Sequence, residues 1–139
     1  MWRQMVQDLH AAVVEPIQDE FLGLRTPITQ HVVSLVPFAD RVEAHYFCAL
    51  VNSVPARVIS ASYSTGKSFG SPHILEHVAI PRFDPSNALH QSLASLSRRA
   101  HQLATRGKDA ETELRLVETE IDHLAAELWG ITTEELAEI

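Results

Sequence analysis

Apolar residues recur at helical spacing through the second half of the chain. Leu89, Leu93, Leu96, Ala100 and Leu103 follow at intervals of 4, 3, 4 and 3, and Leu114, Val117, Ile121, Leu124 and Leu128 at 3, 4, 3 and 4. Each set falls on one narrow stripe of a helix. Asp84-Pro85 predicts the first helix start, with an acceptor at the cap and proline in the first turn. Gly107 predicts its end, Asp109 the next cap, and Gly130 the end of the second helix. Thr132 and Glu135 stand at capping-box spacing and predict a short terminal helix. The short connection between the long helices predicts an antiparallel helical hairpin. A fully buried seam side chain is worth roughly 1.5–3 kcal/mol. Ordering costs about 1–2 kcal/mol per residue, so the hairpin is expected to dock on the first part of the chain or on another chain.

The first half is patterned differently. Residues 1–10 show no clean period. Ala11–Glu15 is a short apolar run ended by Pro16, and 28–37 is β-branched and partly alternating, so both predict strands. Residues 19–27, punctuated by Gly23 and Pro27, read as a loop. Asp40 predicts a capped helix over 41–52, with Val42, Tyr46, Ala49 and Leu50 at helical spacing. After Pro55, residues 57–63 fit a helix or a strand. Residues 64–72, rich in Ser, Gly and Pro, read as an exposed loop, and Val78–Ile80 as a short strand closed by Pro81. The fold class expected is α/β (α+β): a small sheet flanked by helices over 1–83, then the hairpin and terminal helix over 84–139.

Charge divides along the same line. The net charge is −7, which argues against a nucleic-acid partner until its distribution is seen. Residues 108–139 hold ten acids and two bases; residues 1–107 hold nine bases, eight acids and seven of the eight histidines. The first part can approach phosphates; the second should face solvent or a basic partner. No apolar run approaches the roughly 20 residues that span a bilayer, and no leader pattern is present, so a cytoplasmic protein without a membrane partner is expected. Cys48 is alone in the sequence and fits a small buried hydrophobe.

Two catalytic motifs are approximated and fail on context. Ala61 to Ser68 nearly matches a phosphate-binding loop, with Ala in the first Gly position. That loop works by aiming backbone N–H groups at phosphates from the start of a helix, and Phe69-Gly-Ser-Pro72 does not open one. His73-Ile-Leu-Glu76-His77 has a zinc-peptidase spacing. Its chemistry needs both His on one helical face and a third ligand. Pro72 and Pro81 leave barely one helical turn, and no third ligand follows. No metal or cofactor is expected. The remaining reading of the segment is a recognition loop.

In order, Ala44-His-Tyr-Phe-Cys-Ala-Leu-Val-Asn-Ser53, Tyr63-Ser-Thr-Gly-Lys-Ser-Phe-Gly70 and Ile80-Pro-Arg-Phe-Asp-Pro85 with Leu89-His90 resemble the C-terminal target-recognition region of adenine-specific DNA methyltransferases. These are enzymes of restriction–modification systems, above all fused methyltransferase–endonucleases. The tail from Ile121 to Glu135 resembles the close of the same proteins, and a looser likeness runs to type I restriction specificity subunits. The resemblance covers about residues 40–139, and 11–39 less fully. It implies a non-catalytic module that meets duplex DNA through its loops. Thr65, Lys67 and Ser68 would donate to phosphates or base edges, and Arg57 and Arg82 would add phosphate contacts. The partner implied is duplex DNA; the leucine seams and the acidic charge of 108–139 carry the alternative, an assembly module whose hairpin docks on a methyltransferase or restriction subunit or pairs with a second copy. The methyltransferase catalytic motif, the glycine-rich cofactor motif and any nuclease motif are absent from the sequence, so no enzyme activity is expected. The chain is shorter than a whole recognition domain of that family, which implies a truncated product, a split subunit or an excised domain.

Overall fold

The computed structural model describes residues 1–3, 10–28, 33–63 and 72–139. The fold is mixed α and β, with small antiparallel ribbons beside a helical body. The elements run β1 (Trp2–Arg3), β2 (Ile17–Asp19), β3 (Gly23–Arg25), β4 (Val33–Ser34), α1 (Arg41–Asn52), α2 (Val54–Tyr63), α3 (Pro72–Leu75), α4 (Ala88–Thr105), a 3-10 turn (Gly107–Ala110), α5 (Glu111–Trp129) and α6 (Thr133–Ala137). Among the described residues β1 pairs with β4, and β2 with β3, as two separate two-stranded ribbons.

The helical body follows its sequence pattern closely. Asp40 caps α1 by accepting the Val42 N–H at 2.9 Å. Gly130 ends α5 in the left-handed conformation, φ 71°, where a side chain would be strained. Thr132 and Glu135 form the reciprocal capping box of α6. The two seams meet each other and α1: Leu93, Leu96, Leu103, Val117, Ile121 and Ala125 are buried with Tyr46, Ala49 and Leu50 in one core. The hairpin is therefore held by α1, and the core runs across the 83/84 boundary.

Several boundaries differ from expectation, each for a local reason. The α4 cap is Asn87, whose Oδ1 accepts from Leu89 and His90. Asp84 instead turns the chain before it, accepting from the Ser86 N–H and hydroxyl. Asp109 caps nothing: it lies inside the 3-10 turn, and α5 starts at Glu111 without a side-chain cap. Residues 57–63 are helical, within α2, because the segment has an N-terminal partner far away in sequence: Asp122 Oδ1 accepts the Val54 N–H at 2.7 Å.

The strand expectations hold only in part. Residues 78–80 form a turn, closed by Ile80 N–H to Val78 O at 2.7 Å, with Val78 buried beneath it. Beyond an isolated bridge at Ala11, the 11–15 run joins no ladder among the described residues. Of 28–37, the described strand is Val33–Ser34. Most of the expected loop at 19–27 is instead the turn and second strand of the β2–β3 hairpin, which spans 17–25. Asp19 builds its turn by accepting from the Phe21 and Leu22 N–H groups, and Gly23 supplies the positive φ that closes a three-residue turn.

Candidate nucleic-acid interface

The corner where α2 ends and α3 begins carries the exposed polar chemistry. Tyr63, the last residue of α2, stacks on His77 with ring centroids 4.1 Å apart and planes 7° from parallel. Both side chains are exposed. Beside them His73 Nδ1 lies 3.3 Å from Glu76 Oε1. The corner rests on the helical body. Leu75 and Ile80 pack against the buried Val51, and Trp129 Nε1–H donates to Ala79 O at 2.9 Å.

His73 thus pairs with Glu76, and His77 with the Tyr63 ring. Among the described residues no three His, Cys, Asp or Glu side chains gather as a metal site. Nor is any helix of the described residues long and apolar enough to cross a membrane.

Of the five residues expected at DNA, Thr65, Lys67 and Ser68 lie outside the described residues. They fall in sequence between the stacked rings of Tyr63 and His77. Arg82 is exposed on the connection from the corner to α4. A relay pins that connection. The Asp84 N–H donates to His90 Nδ1 at 3.0 Å, His90 Nε2 faces the Tyr46 hydroxyl at 3.4 Å, and Tyr46 donates to Pro81 O at 3.1 Å. Arg57 has a different setting. It lines a cleft of about 800 Å³ together with Asn52, His101, Arg115 and Asp122. There its charge acts on the Asp122 carboxyl, whose pKa burial raises, against the pull of the Val54 N–H and Arg57.

Seven histidines fall in the part expected to approach phosphates, but among the described residues two of them are interior. His45 and His90 are buried. His45 Nδ1 lies 3.1 Å from Ser97 Oγ, and its ring meets His101 edge-on at 5.0 Å. Burial, then the charges of His101, Arg41 and Arg98, push its pKa from 6.5 down to about 4. The Ser97–His45 contact is no nucleophile: both residues are enclosed, at 2% and 3% exposure. Burial also pushes the Cys48 thiol up, away from the reactive thiolate form. The network instead fastens the chain's early segment. The Val13 N–H donates to His101 Nε2, and Asn52 both accepts from the Ala11 N–H and donates to Ala11 O. The signal missed in sequence was position: His45 and Ser97 lie on the packed faces of α1 and α4.

The leucine seams, which suggested a docking surface, pack on the core, with Leu93, Leu96, Leu103, Val117 and Ile121 buried and Leu89, Ala100, Leu114, Leu124 and Leu128 partly buried. What the hairpin offers outward is charge: Glu118, Glu120 and Glu127 are exposed on α5, and Glu134, Glu135 and Glu138 beyond it.

No protein-family model matches the chain, and comparison with curated proteins and with solved structures finds no match.

Proposed function

We propose that the chain is a non-catalytic target-recognition module of an adenine-specific DNA methyltransferase system, meeting duplex DNA at the Tyr63–His77 corner. The observation that carries this reading is the stacked, exposed ring pair at the two flanks of residues 64–76. The pair holds the flanks of that polar, Lys67-bearing segment against each other, and a segment with joined ends gives up less conformational freedom on binding. Arg82, exposed on the adjoining connection, supplies a guanidinium suited to a phosphate. Lys67 supplies a second cation, and Thr65 and Ser68 supply hydroxyl donors and acceptors. The order of motifs along the chain, which resembles the recognition region of such methyltransferases, supports the same assignment.

The acidic α5–α6 face agrees with this polarity. It repels the duplex, so the DNA is met through the cations and hydroxyls of the corner and not through these helices. Arg57, opposed by Asp122, contributes less to phosphate binding than Arg82.

Fluorescence anisotropy with a labelled duplex tests the assignment. Binding is expected to weaken with salt. Lys67→Ala should reduce the slope of log affinity against log salt by about one, the signature of one lost phosphate contact. Absence of duplex binding at low salt, from protein whose circular dichroism shows the helices intact, would sink the proposal.

A further inference from the structure

The β2–β3 hairpin contributes to neither core cluster of the described residues. Its side chains are exposed on both faces: Ile17 is 63% exposed, Phe21 89%, Leu22 62% and Leu24 68%, and Ile28 just beyond is 94% exposed. A two-stranded ribbon is marginal alone in water; a third or fourth strand gives it independent stability. Among the described residues β3 pairs with β2 alone. Its outer edge is therefore a template for another strand.

We propose that this edge is a dimer interface, with β3 of one protomer pairing antiparallel with β3 of a second copy about a two-fold axis at Leu24. Such an axis makes the contact self-complementary and closed. The register within the hairpin is Ile17↔Arg25, Gln18↔Leu24 and Asp19↔Gly23. The two-fold axis sets Leu24 opposite the second copy's Leu24, and Arg25 opposite its Gly23. Across the four strands one row then reads Ile17, Arg25, Gly23 and Asp19, the last two from the second copy. Residues in such a row share a face. Gly23 has no side chain, so Arg25 can extend over it toward the second copy's Asp19, and symmetry repeats the pair. On the opposite face the two Leu24 side chains meet, flanked by both Gln18.

Charge therefore complements itself in this register, and no like charges stand directly opposed. The same pairing about Gln18 of β2 would instead press Asp19, the acceptor that builds the turn, against Ile17. Pro27 lacks an N–H and stops the ladder from running further.

Leu24→Cys tests the register directly. Two residues directly opposite in an antiparallel pair lie about 4.5–5.5 Å apart at Cα, within disulfide range. The native thiol, Cys48, is buried. Mild oxidation is expected to convert Leu24→Cys protein into a disulfide-linked dimer at least tenfold faster than Gln18→Cys, which lies one strand away from the axis. Sedimentation of the unmodified chain should show a monomer–dimer equilibrium at micromolar concentration. Leu24→Glu, at an exposed site that the fold does not need, should weaken it at least tenfold. A wild-type chain that stays monomeric throughout, or equal cross-linking of the two cysteine variants, would overturn the proposal. The outcome is independent of whether the protein binds DNA.

Discussion

Lowering the pH from 7 to 5 is expected to cost the fold about 2 kcal/mol through His45 alone. The ring is 3% exposed, stands 3.1 Å from Ser97 Oγ and faces His101 edge-on. These surroundings, burial first, take its pKa from 6.5 to about 4. In the unfolded chain the imidazole gains its proton as pH falls through 6.5; in the folded chain it stays neutral to about 4. Between those values the unfolded state binds more protons, so stability rises with pH across the window and is lost on acidification. The full difference is about 3 kcal/mol, and about 2 kcal/mol of it falls between pH 7 and pH 5, above the range where most carboxylates titrate. Urea denaturation of the wild type and of His45→Gln at both pH values isolates the effect, because glutamine keeps a hydrogen-bonding group and does not titrate. The wild type should lose about 2 kcal/mol more than the variant over that interval. Equal losses would show that His45 is solvated or charged in the native state, and would refute the buried network as described.

Other expectations concern the frame around the corner. Asp122→Ala removes the acceptor for the α2 N-terminus and should cost about 1–2 kcal/mol by chemical denaturation, whereas Asp122→Asn, which retains an acceptor oxygen, should cost less. Leu93→Ala empties a fully buried site where α4 meets α1 and α5, and should cost about 2–5 kcal/mol in the same assay. Gly130→Ala meets no atom within 4 Å, so its penalty is backbone strain alone: about 1 kcal/mol, read as a lower Tm. Tyr63→Ala should weaken duplex binding severalfold while Tyr63→Phe, which keeps the stacked ring, binds like wild type; similar binding by all three would separate the stack from recognition.

The helical body was legible because its determinants are local. Asp40, Gly130 and the Thr132–Glu135 box each act within a few residues, and the seam spacing needs only the helical period. What escaped was written in long-range contacts. The α2 N-terminus is capped by Asp122, which lies 68 positions further along the chain. The hairpin at 17–25 shows no hydrophobic alternation, because neither face is covered; its signal was Asp19 with Gly23, read as loop punctuation. Val78–Ile80 has strand-like residues, but Val78 is buried singly beneath a turn. The interior histidines were invisible to a charge count, which treats His45 and His90 like surface groups. At the candidate site, Tyr63 and His77 are separated by 14 positions, and their ring contact has no sequence pattern. The two were therefore missed, although the segment between them had been singled out by its composition and motif order.

Selection of the protein against a randomised duplex pool tests sequence recognition most directly. Rounds of capture and amplification are expected to enrich one short motif, with Lys67→Ala protein enriching it less. A retained pool that remains random, with folded protein and intact duplexes, would contradict target recognition and leave only non-specific affinity for phosphate.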